Sequence, residues 1–198
     1  MPLRITTQGE NRQIHALIQN IADIPGGLTI ATADLIPGSI LREGTVVSTK
    51  DQNGLSHVIK TAKVYEAANA NATSIKVEKG SQLKVGDIIA KTINGAAVAI
   101  AAITTSNASY DTLTVTLNSS TGLGALTAGD ALVEVAEAAA ESGAALKYTP
   151  LAMVADSHDV LANDNLWIPA IVMGTFKLSV IPAISDDILS KLKGIIVL

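Results

Sequence analysis

The sequence predicts a mainly β fold with a minor helical part, and three observations carry that prediction. From Leu28 onward, apolar and polar residues alternate in short runs dominated by Thr, Val and Ile, the pattern of half-buried strands. Clusters of Asn, Asp, Ser and Gly separate those runs, as strand-joining turns require. One pattern, L-x-x-G-[DT]-x-[ILV], occurs three times, beginning at Leu41, Leu83 and Leu126. Helical periodicity is confined to the two ends.

Taken in order, residues 7–23 are expected to form a helix. Thr7 and Glu10 have the spacing of a capping box, and Ile14, Leu17, Ile18 and Ile21 share one helical face. Ile24-Pro25-Gly26-Gly27 ends it, because a residue preceding proline resists the α region. Strands are then expected at 28–32, 45–49, 56–60, 63–67, 74–79, 87–92, 97–104, 112–117 and 130–135. Asn94-Gly95 lies between two apolar runs and gives the strongest hairpin signal in the chain. The Ala- and Glu-rich tract from Val135 to Leu146 reads as a linker with at most one helical turn. Strands resume at 151–155, 167–173 and 175–181, with Pro169 demanding an edge or a bulge. Near the end, Ser185 can cap a helix that carries Asp186 and Asp187 in its first turn. Ile188, Leu189 and Leu192 form its apolar face, Lys191 and Lys193 suit its negative end, and Gly194 closes it. Residues 195–198 are too apolar for solvent and are expected to pair as a last strand or pack beneath the helix.

The repeated pattern reads as a structural corner. Its glycines, Gly44, Gly86 and Gly129, can take positive φ without a steric cost, so the chain turns sharply there and enters a strand. The leading leucine drops into the core, and Asp87 or Asp130 can accept hydrogen bonds from nearby backbone N–H groups. As a phosphate or metal loop the pattern lacks a following helix N-terminus and a second ligand. A second internal similarity links Thr73-Ser74-Ile75-Lys76-Val77 with Asp111-Thr112-Leu113-Thr114-Val115, giving two similar β units about 40 residues apart.

Composition narrows the function. The chain of 198 residues is long enough to bury roughly 70% of its unfolded surface. With 48% hydrophobic and 16% charged residues it is not a disordered chain. A net charge of −4, no basic cluster and an aromatic content of 3% argue against nucleic acid and anionic membrane as partners. Without cysteine there is no thiolate chemistry and no disulfide frame. Neither a secretion signal nor a membrane-spanning stretch is evident, so the sequons at Asn71, Asn107 and Asn118 read as turn residues of a protein made in a cytoplasm.

Few residues invite chemistry. Asp156-Ser157-His158-Asp159, with Asp164, gathers the only catalytic residue types. Adjacent residues of one extended loop do not face each other as a triad does. As a calcium loop the segment has the wrong spacing and no turn glycine. His15, beside the stripe of the first helix, and His57, in a strand, read as surface or packing residues. Glu134, Glu137 and Glu141 read as a solvated face, and Trp167 as a core or subunit contact. The expectation is therefore a non-enzyme with no catalytic, cofactor-binding or metal residues.

Leu41-Arg42-Glu43-Gly44-Thr45-Val46-Val47 resembles the strand-entering turn of bacteriophage head decoration (capsid-stabilising) proteins. Tyr148-Thr149-Pro150-Leu151-Ala152-Met153-Val154 resembles their later strand leading to an acidic loop, here 156–165. Ile168 to Gly174 resembles the next strand, and Ile188 to Ile195 the closing helix with its Gly-Ile end. The resemblance covers about 30–62 and 146–198. It implies a β-tulip or small-barrel domain that forms a homotrimer on the outside of a phage capsid and binds the major capsid protein. On that basis 1–30 is expected to be an arm and helix, 31–62 plus 146–198 the decoration-like domain, and 63–145 an inserted β domain. The insertion and the first helix depart from the family pattern; a head fibre with an outward-projecting insertion is a related possibility. An extended segment within 1–30 would reach the capsid. The competing readings are a carbohydrate- or surface-binding β module, which low aromatic content opposes, and a hydrolase using the 156–164 loop.

Overall fold

The computed structural model describes residues 15–118 and 121–198. Among the described residues strand follows strand, and the one α-helix, four residues long, lies near the end. The capping box at Thr7 and the stripe residue Ile14 lie outside the described residues.

Where the sequence predicts the body of the first helix, the chain forms strand β1 (Leu17–Asp23). It pairs antiparallel with β14 (Ala170–Phe176), with register shifts around Gln19, Asn20 and Ala22. The ladder explains the reversal: β-branched Ile18 and Ile21 cost a strand nothing, and tertiary pairing overrides a weak helical preference. The helical stripe is not a buried face, since Ile18 and Ile21 are each 57% exposed. Ala16, by contrast, is fully buried, and its carbonyl accepts from Lys177 N at 2.8 Å. Leu28 and Ile30 of β2 (Leu28–Ile30) are buried too, so residues 16–30 belong to the fold rather than to a free arm.

The first sheet runs β1-β14-β11-β4, with β11 (Pro150–Val154) antiparallel to β14 and to β4 (Val46–Ser48). The apolar tail forms β15 (Ile195–Val197), parallel to β14. Two short pairs flank this sheet: β13 (Leu166–Ile168) with β2, and β12 (His158–Asp159) with β3 (Ile40–Leu41). Pro169 separates β13 from β14, so the strand expected at 167–173 is split there. The strand expected at 175–181 ends at Phe176. Residues 177–184 instead form a turn and an extended segment.

The second sheet runs β5 (Thr61–Lys63), β10 (Ala131–Val135), β7 (Ile88–Ala90), β8 (Ala97–Thr104), β9 (Tyr110–Thr116), β6 (Ser74–Glu78). Its ends meet: Val64 bridges Val77, and Tyr65 N donates to Lys76 O at 2.8 Å. The sheet thus closes as a small barrel, which removes its free edges. The two similar segments of the sequence become neighbours here, Ile75 facing Leu113 across the β6–β9 ladder. β7 and β8 form the hairpin expected at Asn94-Gly95, with Asn94 at φ 63°.

Three apolar clusters hold the molecule. One lies wholly inside the barrel, around Ile75, Val98, Leu113 and Leu132. A second, around Leu28, Ile30, Val47 and Ile168, lies under the first sheet. The third joins the two, packing Ala90, Ala97 and Val133 of the barrel against Met153, Ile171, Phe176 and Ile188. Ile188 belongs to α1 (Asp186–Leu189), which Ser185 caps as expected. The helix is one turn long, so Lys191 and Lys193 lie beyond it. The 135–146 tract has no helix; it is tied by the bridges Ala139–Ala97 and Val135–Leu146.

Candidate functional site

The three corners have one geometry. Gly44, Gly86 and Gly129 stand at φ 80°, 94° and 95°. In each, the residue after the glycine donates its N–H to the carbonyl three residues back: Thr45 to Arg42, Asp87 to Lys84 and Asp130 to Thr127, each at 3.1 Å. Positive φ at the third position of such a turn defines type II and calls for glycine. Each glycine N–H then donates to a strand carbonyl, that of Val154, Ile100 or Val64. The same strand residue returns its own N–H to the carbonyl of Thr45, Asp87 or Asp130. Leu41, Leu83 and Leu126 are all buried, and Asp87 and Asp130 accept from Lys84 N and Thr127 N at 2.7 and 2.8 Å. The corners are scaffold.

The acidic loop does not assemble. Asp156, Asp159 and Asp164 are exposed. Ser157 Oγ accepts from Glu43 N at 3.0 Å, and the Asp164 carbonyl accepts from Thr32 Oγ1 at 2.6 Å. His158 pairs with Leu41 in the short β12–β3 ladder. Among the described residues, no three His, Asp or Glu side chains converge as metal ligands would. Trp167 is 57% exposed and lies over the Gly26-Gly27 turn, its indole N–H donating to Gly26 O at 2.8 Å. Of the two expected readings, core or subunit contact, the core one is corrected: Trp167 is the middle residue of β13, and Ile168 beside it is the residue that enters the core. His57 is a packing residue, stacked on Tyr148 with ring centroids 4.3 Å apart. His15 is exposed and precedes a strand, with Nδ1 3.6 Å from Glu43.

Glu137 and Glu141 are exposed as expected, but Glu134 is only 2% exposed. β10, the strand expected at 130–135, carries it two residues after Leu132 of the barrel core, so both side chains share one face of the strand. There it meets Lys60, also 2% exposed, with Lys60 Nζ 3.6 Å from Glu134 Oε1 and 2.8 Å from Asp87 Oδ2. Lys147 Nζ donates to Glu134 Oε1 at 2.8 Å and lies 3.9 Å from Asp34, which accepts from the Tyr148 hydroxyl at 3.3 Å. This ion network joins barrel strand, corner and linker. Burial pushes the Glu134 carboxyl above its ordinary range, against the pull of Lys147 and Lys60. Burial draws the Lys147 ammonium down, but the hydrogen bond and charge of Glu134, with Tyr148 and Asp34, together outweigh it and hold the ammonium above its usual value.

The sign for stability follows. A carboxyl whose pKa is raised on folding adds stability below its ordinary value of 4.5, and that stability is lost as pH rises through the raised value. Asp130, held low by Lys91 and by Thr127, acts oppositely, losing its contribution as pH falls below 3.8. Glu134→Gln is expected to abolish the first trend and leave the second. Thermal unfolding of both proteins from acid to neutral pH checks it; parallel profiles would refute it.

A cleft of about 540 Å3 lies between the barrel and residues 177–184. Nothing in the linear sequence announces it, because its walls come from six separate segments. Neither a family model, nor a curated protein, nor a solved structure matches the chain.

Proposed function

We propose that the chain is a structural protein of a bacteriophage head that binds the outer capsid surface as a homotrimer and stabilises it. One observation supports this reading most. β1 pairs with β14 on one side only, and among the described residues no strand pairs with its other edge. It offers Ile18 and Ile21 to solvent along that edge. An extended apolar edge is a template for another chain, through main-chain hydrogen bonds and alternate side chains. The resemblance of 41–47 and 148–154 to head decoration proteins supplies the partners: further copies of this chain and the major capsid protein. Three copies on one shell bind by multivalency, so modest contacts sum to tight attachment. The working location is the virion exterior, after synthesis in the host cytoplasm, and the role requires no enzyme activity.

Light scattering on the purified protein is expected to give about three times the chain mass of 20.3 kDa. A strict monomer at micromolar concentration would overturn the reading. Ile18→Lys with Ile21→Lys is expected to abolish co-sedimentation with undecorated capsids while the protein stays folded by circular dichroism.

A further inference from the structure

We infer that the cleft between the barrel and residues 177–184 is a binding site for an amphipathic organic anion: a carboxylate, sulfonate or phosphate head on an apolar body. This inference does not rest on the capsid reading. Its volume of about 540 Å3 falls within the range of small-molecule sites.

The lining divides into two chemistries. Leu178, Val180, Ile181, Pro182 and Ile184 give one wall an apolar surface. The lining also holds four cationic side chains, Arg42, Lys63, Lys79 and Lys177, against one carboxylate side chain, Glu78. Two of the cations are already engaged. Lys63 lies 2.9 Å from Glu78, and Lys79 is held by Asp111 at 2.5 Å and by the Thr105 carbonyl at 2.8 Å. Arg42 and Lys177 form no ion pair among the described residues. The Arg42 side chain lies across Gly80, where a Cβ would sit 2.5 Å from Nη2. Its one side-chain hydrogen bond among the described residues is long, 3.5 Å to Lys79 O. The guanidinium is thus laid down at the cleft rim by a residue with no side chain, with most of its donors unused. A planar fork of that kind suits a bidentate oxyanion. The body of the same molecule removes apolar wall from water.

The probe is anilinonaphthalene sulfonate, whose sulfonate and fused rings have the required two parts. Titrated into the folded protein, it is expected to show saturable blue-shifted emission. Decanoate is expected to displace it, and acetate or decanol is not, because each carries only one of the two parts. Arg42→Gln with Lys177→Gln should weaken binding about tenfold or more, one charge-assisted hydrogen bond being worth about that factor. Ala183→Phe, which fills the cleft and keeps both cations, should abolish it. Circular dichroism confirms that each variant is folded. Flotation separates the sources of the anion: protein carried up by phosphatidylglycerol vesicles, and released by the same pair of substitutions, assigns it to a lipid headgroup. Protein that stays in solution assigns it to a free molecule. Absent saturable binding, equal displacement by decanol, or binding unchanged in both variants would overturn the site.

Discussion

Lys60→Ala is expected to be among the most destabilising single substitutions in this protein, by about 3–5 kcal/mol, the cost of breaking a buried ion pair from one side. At about 2–4 °C per kcal/mol for a chain of this size, that is a fall in Tm of about 6–20 °C. The reason is the company it leaves. Lys60 is buried between Asp87 at 2.8 Å and Glu134 at 3.6 Å. Among the described residues Glu134 Oε2 has no hydrogen-bond partner of its own. With the ammonium gone, Lys147 is, among the described residues, the remaining cation beside Glu134, and Asp87 keeps there only the backbone N–H of Lys84. Two controls separate this from mere loss of packing. Lys60→Met with Glu134→Gln and Asp87→Asn removes the charges together at nearly constant volume, and should recover most of the loss. The deficit of Lys60→Ala should also shrink in acid, where Glu134 takes up a proton and the orphaned charge disappears. A Tm within a degree or two of the parent at neutral pH would show that the network contributes nothing.

That network explains where reading the sequence stops. Its members stand at 34, 60, 87, 134 and 147, and no local spacing joins them. Glu134, Glu137 and Glu141 read as a solvated face; the strand expected at 130–135 forms, but it sends Glu134 inward, while Glu137 and Glu141 lie beyond it and stay outside. The cleft is illegible for the same reason, since Arg42, Lys79 and Lys177 meet only when the barrel lies against residues 177–184. What is legible depends on local chemistry. The corners follow from a glycine that must take positive φ and a leucine that must be buried. The 97–104 strand follows from alternation, and the cap of the last helix from Ser185. The first helix failed because its periodicity was real but its partner was distant: β14 offered a ladder that Ile18 and Ile21 fit equally well. Pro169 demands an edge or a bulge, and the structure answers by ending β13 before it and starting β14 of another sheet after it.

The corners also supply a contrast within one motif. Gly44→Ala is expected to cost about 2–5 kcal/mol, and Gly86→Ala and Gly129→Ala only about 1–2 each. All three glycines take positive φ, so each alanine meets the same backbone penalty. Their surroundings differ. At Gly86 and Gly129 an added Cβ has nothing within 4 Å. At Gly44 it would stand 2.3 Å from Ile181 Cγ2 and 2.8 Å from Ile181 Cβ. Ile181 is only 9% exposed and belongs to the cluster joining barrel and sheet, so it has little room to retreat. A double-mutant cycle isolates the clash. Ile181→Gly removes the whole obstructing side chain at its own cost in burial and backbone freedom, and on that background Gly44→Ala should fall to about the cost seen at Gly86. Chemical denaturation of the four proteins measures the coupling. If Gly44→Ala remains as costly without the isoleucine side chain, the penalty is backbone strain alone, and the corner does not depend on its contact with residues 177–184.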